Sequence, residues 1–291
     1  MATNLSTHNP IIMWETISGN TEFTQQPPEA AGQTFKVGTP LQLVSGNAQA
    51  WDGSTVAAGI YGISLDYGHN LGTAGAGLPA NFGQQGPPWS SFNIGAAPNQ
   101  PSSVTIPYGA PFVTGGALAM VADQDTVFIA QTDTTEGTTS ITAGSTTAPG
   151  VLTATATNTH FVGEQVILSG FTGAGLPLNG LTAIILTITG GGSGYTAQLQ
   201  SSYAGGVIAS IGTGSDNPTY APTSQYVGQQ FGLTVDGNGS WYIDTSKHTP
   251  GTNTVLVIIG LYQGDVLQTT PFVEVPNGAL LFQFLPAAQQ T

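Results

Sequence analysis

The residues of this chain that are able to do chemistry are few and badly spaced for it. There are four histidines, His8, His69, His160 and His248. None stands in an H-E-x-x-H or other zinc-ligand spacing, so each reads as a plain surface residue in a polar loop. Asp123-Gln124-Asp125 sets two carboxylates at i and i+2, which share one face of a strand, and glycosidases use such pairs. At a turn the same residues merely accept backbone hydrogen bonds, and the turn is the better reading. Asp236-Gly237-Asn238-Gly239-Ser240 matches the opening of an EF-hand loop, but Lys247 stands at the twelfth position, where a bidentate acid is needed. A β-hairpin turn fits it better. The run Gly190-Gly191-Gly192-Ser193-Gly194 lacks the Lys-Ser/Thr that completes a phosphate-cradling loop. No G-x-S-x-G elbow occurs, and cysteine is absent, which removes thiolate ligands and disulfides. The expectation is a non-enzyme with no catalytic residue, no metal site and no cofactor.

Composition narrows the partners. Charged residues make up 6% of the 291 and hydrophobic ones 40%, so the chain can bury a core but must cover it with Thr, Ser, Asn, Gln and Gly. An ordinary globular protein has roughly 25% charged residues. The only cations are Lys36 and Lys247, and the net charge is -13. Phosphate neutralisation needs clustered Lys and Arg, so nucleic acid is excluded as a partner, and anionic membrane surfaces with it. No basic-then-apolar leader and no apolar run of about 18 residues is visible. Aromatic residues at 9% and alternating polar and apolar positions indicate a folded chain.

The elements read as strands and turns throughout, with no capped amphipathic helix. Residues 1–34 read as an N-terminal arm, broken by Pro10, Pro27 and Pro28 and carrying one apolar knot: Ile11, Ile12, Met13, Trp14 and then Ile17. That knot is either a first core strand or a segment that docks on a neighbour by strand addition. Residues 68–102 read as a long loop pinned by Trp89 and Phe92, and loops of that length are often functional. Two tight turns flank tryptophans: Trp51-Asp52-Gly53, and the 236–239 turn before Trp241. Trp51, Asp52, Gly53 and Trp241 are therefore expected in the structural core. Composition shifts at 132–149 and again at 212–222, which predicts a discontinuous β core (35–131 plus 219–291) with an inserted small Ig-like β-sandwich at 132–218.

The segment Thr39-Pro40-Leu41-Gln42-Leu43, Gln49-Ala50-Trp51-Asp52-Gly53-Ser54 and Ala57-Ala58-Gly59-Ile60 resembles the head decoration proteins of lambda-like phages. In that family an apolar strand after a proline is followed by an Ala-Trp-Asp-Gly-Thr turn and a small-residue strand ending in Gly-Ile. Tyr226 to Thr234, Trp241 to Asp244 and Gly278 to Phe284 also look like phage capsid-associated β proteins. The likeness covers about a third of the chain, and residues of about 132–218 have no counterpart in that family. The resemblance implies an all-β fold with a β-barrel or β-tulip-like decoration core. It also implies a homotrimer on the exterior of a virion, made in the host cytoplasm. The partner would be the major capsid protein, touched through Ile11, Ile12, Met13, Trp14, Ile17, Trp89 and Phe92, with a glycan or host-surface ligand left open for the insert. The competing expectations are a tail, baseplate or head-fibre component and a carbohydrate-binding adhesin module.

Overall fold

The computed structural model describes residues 8–16, 24–30, 33, 35–53, 59–66, 68, 119, 121–123, 126–135, 137–147, 150–154, 160–189, 195–201, 207–218, 222, 224–249, 251–262 and 279–290. The chain is all-β. Among the described residues, the regular structure other than strands is three 3-10 turns, at Gly173–Leu178, Ser224–Tyr226 and Pro286–Ala288. The chain divides into two compact units. The first is Thr7–Ile129, Val235–Trp241 and Gln283–Thr291; the second is Met1–Ser6, Ala130–Thr234 and Tyr242–Phe282.

In the first unit, β1 (Ile12–Thr16), β2 (Thr24–Gln25), β3 (Pro40–Val44), β4 (Asn47–Ala50), β5 (Gly62–Ser64) and β6 (Val121–Asp123) precede the first half of β7 (Thr126–Asp133). A five-stranded sheet runs β2-β6-β5-β3-β4. Ser45 and Gly46, both at positive φ, close the β3–β4 hairpin with a two-residue turn whose twist matches that of its strands. Leu41, Ala48, Ala119, Val121 and Phe35 form its core. The outer edge of β4 is covered by the chain itself: Ala30 N donates to Ala48 O and Ala48 N to Pro28 O, at 2.8 and 2.7 Å.

The expected arm is thus strand-paired over its described parts. β1 runs antiparallel to β7, with Ile12 opposite Ile129 and Met13 opposite Phe128. The reason is spacing. Ile11 points inward and is 1% exposed, and the backbone beyond it finds partners along β7 that a free tether would lack. Gly38 makes this approach feasible. It sits at φ +81°, and a Cβ there would lie 2.6 Å from Ile11 N. Gly38→Ala should therefore destabilise the protein by about 2–4 kcal/mol, the left-handed backbone cost plus overpacking, as measured by urea unfolding.

The second unit holds the rest of β7 and β8 (Thr139–Ser145), β9 (Gly150–Ala154), β10 (Gln165–Ser169), β11 (Thr182–Thr189), β12 (Tyr195–Ser201), β13 (Gly214–Pro218), β14 (Gln230–Val235), β15 (Trp241–Asp244), β16 (Leu256–Leu261) and β17 (Ala279–Phe284), in whole or main part. One sheet follows the order β7-β15-β14-β16-β17, and β17 also pairs with β7. The small sandwich expected at 132–218 is instead a closed barrel over Thr139–Pro218, in the order β10-β11-β12-β9-β8-β13. The two strands that lie in the composition shifts at 132–149 and 212–222, β8 and β13, pair with each other, and β13 goes on to pair with β10. That closes the ring and removes both free edges. Bulges between Ile141 and Ala143 and between Ile185 and Thr187 supply the curvature that closure requires. Inward positions alternate along β10, where Val166 and Leu168 are buried. With Ile141, Leu152, Phe171, Leu178 and Ile185 they fill the interior. At the neck, Thr138 Oγ1 donates to Asn217 Oδ1 at 2.5 Å.

Candidate functional site

The residues expected to carry contacts separate into three groups. Ile11 is buried, Met13 is half-buried, and Ile12 and Trp14 are 48% and 45% exposed. Ile17, Trp89 and Phe92 lie outside the described residues, as do Asp125 and 190–194. Trp51 and Trp241 are buried side by side, ring centroids 5.4 Å apart and planes 35° apart. Gly53, at φ +73°, faces the same ring: a Cβ there would lie 3.3 Å from Trp241 Cη2. Asp52 is exposed.

The 236–240 segment is a hairpin turn, as its composition suggests. Asp236 Oδ1 accepts from Asn238 N and Ser240 N at 2.8 and 2.9 Å, and Asp236 Oδ2 accepts from His8 N at 2.8 Å. Burial alone would raise the pKa of this carboxyl. The amides of Ser240, His8 and Asn238, with the His8 ring, outweigh burial and hold it below its ordinary value. Lys36 Nζ donates to the carbonyl of Asn238, and Lys247 Nζ to that of Leu233 at 2.6 Å. Both cations of the chain are thus bonded to its own backbone. A cleft of about 290 Å³ in the first unit is lined by Gln33, Phe35, Lys36, Thr39 and Trp241 among others. Phe35 and Trp241 each show only 7% of their surface, so the cleft offers no broad aromatic face to a ligand.

The chemistry-bearing cluster is in the second unit, at a place that sequence reasoning passed over. His160 is not a surface residue. Its Nδ1 lies 2.5 Å from Glu164 Oε2 and its Nε2 lies 3.3 Å from Asp216 Oδ2, with the three side chains 0–1% exposed. Burial disfavours the charged ring, but the contacts to Asp216 and Glu164 outweigh it and push the His160 pKa up to about 10. At neutral pH the ring is thus an imidazolium set between the carboxyl groups of Glu164 and Asp216. The arrangement is poorly built for catalysis, because no surface of the three groups is open to a substrate. It is also poorly built for a metal, because the two ring nitrogens address separate carboxylates and converge on no common point. Among the described residues no group of three His, Cys, Asp or Glu side chains could hold a metal ion. One signal was available in the sequence. Between Gly137 and Val235 the only Asp, Glu, His, Lys or Arg residues are His160, Glu164 and Asp216, and the first two are spaced i, i+4.

The fold defines an all-β chain. Comparison with protein-family models, with curated proteins and with solved structures gave no match.

Proposed function

We propose that this chain is a virion structural protein that binds the outside of a phage capsid as a homotrimer and stabilises it. The observation that carries the reading is β1. Among the described residues this strand is paired on one side only, with β7, and it presents Ile12 and Trp14 outward, while Ile11 anchors it from within. A strand edge flanked by exposed apolar side chains is a template for strand addition by another chain. Ile12 and Trp14 carry no charge, so a contact with the major capsid protein made through them and the strand backbone depends weakly on salt. A protein that binds only the assembled shell stabilises it by mass action. The resemblance over 39–60 to phage decoration proteins points the same way.

The test is cryo-EM of particles together with light scattering of the free protein. The expected results are density on the capsid exterior at three-fold sites and a mass three times 29.6 kDa. Density on a tail, baseplate or head fibre, or a monomeric mass, would sink this reading. In a sedimentation assay, the double variant Ile12→Asp, Trp14→Asp should fold with an unchanged unfolding midpoint yet occupy capsids at least tenfold less. Full occupancy by that variant would move the contact off β1.

A further inference from the structure

The barrel segment from Gly137 to Pro218 carries charge at three side chains only, His160, Glu164 and Asp216, and all three are buried together. A module that needs charge merely for solubility would spread it over its surface. Here the surface is left to uncharged residues.

The placement explains what the charges do. His160 and Glu164 bracket the turn that leads into β10, a turn closed by Glu164 N donating to Phe161 O at 3.2 Å. Asp216 is on β13, the strand that closes the barrel, where it is opposite Leu168 of β10 and Thr139 of β8. The residue after His160, Phe161, leaves the barrel. Its ring meets Tyr226, Phe231 and His248 at centroid distances of 5.1, 5.0 and 5.4 Å. Phe231 is on β14, and Tyr226 ends the 3-10 turn before it. One five-residue turn is therefore bonded to the barrel through its charges and packed against the sheet side of the same unit through its ring. Because Asp216 is directly opposite the inward-facing Leu168, its side chain is on the interior face of the barrel, beside the apolar core.

We infer that His160, Glu164 and Asp216 form an electrostatic latch that seats the 160–164 turn between the barrel and the β14 side of its unit, and that its opening frees this turn while β9, β11 and β12 of the barrel stay paired. The ionisable groups that face His160 are Glu164 from its own turn and Asp216 from β13. His248 reaches the turn through the ring of Phe161. The latch is a conformational device of the second unit and is independent of what the chain docks on.

The test is hydrogen–deuterium exchange of the full chain at neutral pH, comparing the natural protein with His160→Gln and with the milder Glu164→Gln. The latch predicts at least tenfold faster exchange in peptides over 160–164 and 214–218 in His160→Gln, with a smaller change of the same pattern in Glu164→Gln. Peptides from β9, β11 and β12 should keep their protection. The tryptophans, at 14, 51, 89 and 241, all lie outside 137–235, so their fluorescence should not change. Simultaneous loss of protection in β11 and β12 would overturn the inference, because the cluster would then be a support of the whole barrel. Unchanged exchange at 160–164 would overturn it as well. If neither variant folds, limited proteolysis of the natural chain at pH 7 and pH 10.5 with an alkaline-active protease decides the matter. New cleavage at 160–164 ahead of cleavage within the barrel strands is expected, and cleavage in the reverse order rejects the latch.

Discussion

Trp241→Ala is expected to lower folding stability by about 3–5 kcal/mol, the usual cost of emptying a large aromatic site in a core. The ring is 7% exposed and lies against Trp51 at 5.4 Å, a tilted pairing worth about 0.5–1.5 kcal/mol beyond area burial. Gly53 limits how far the neighbourhood can collapse into the vacated space, since its positive φ fixes the turn that faces the ring. Trp51→Ala should cost a similar amount, and a double-mutant cycle should return a coupling of about 0.5–1.5 kcal/mol. Trp51→Phe is the informative control. The Trp51 indole N–H is buried with no hydrogen-bond partner among the described residues, so losing it removes an unsatisfied donor and offsets part of the lost packing. Urea unfolding followed by circular dichroism measures all four. A loss below about 1 kcal/mol at Trp241 would place that ring outside the core.

The Trp51–Trp241 pair was legible because local chemistry announces it. Each ring stands beside an Asp-Gly or Asn-Gly turn, and turn chemistry depends on neighbouring residues alone. The Ser45-Gly46 turn of the β3–β4 hairpin and the 236–239 turn between β14 and β15 have the same local chemistry. The barrel was not legible. Its closing strand is Gly214-Ser215-Asp216-Asn217-Pro218, and four of these five residues, Gly, Asp, Asn and Pro, are of types depleted in strands. What makes it a strand is tertiary: β10 on one side and β8 on the other offer it backbone partners. Without β13 and its neighbour β8, four strands remain, and four alternating strands suggest a sandwich. His160 was misread by the same route. A lone histidine in a polar stretch is ordinarily exposed, and its partner Asp216 is on the strand that the sequence hid. The segment 11–14 went the other way. Its apolar character was plain, but period alone did not say that Ile11 would turn into the chain's own core while Ile12 and Trp14 stayed outside.

Stability should fall as pH rises from about 6.5 to about 10, and His160→Gln should abolish most of that fall. The sign follows from the direction of the shift. The unfolded chain releases the His160 proton near 6.5, whereas the folded chain keeps it up to about 10. Between those values the native state binds more protons than the unfolded state, so unfolding becomes easier with each step up in pH. The contribution is fully present below 6.5 and gone above about 10. At roughly 1.36 kcal/mol per unit of pKa difference, the interval corresponds to an upper bound of about 4–5 kcal/mol. At pH 6 the His160→Gln variant should already be about 3–5 kcal/mol less stable, because Glu164 and Asp216 are left buried without their cation. By pH 10 natural protein and variant should converge, since the natural ring has itself become neutral there. Urea midpoints at pH 6, 8 and 10 for both proteins provide the comparison, and the variant subtracts tyrosine and lysine titration common to the two. Parallel pH profiles, with the gap between the proteins constant from pH 6 to pH 10, would mean that the His160 ring binds its proton no more tightly in the folded than in the unfolded chain, and the reading of a charged ring held by Glu164 and Asp216 would have to be given up.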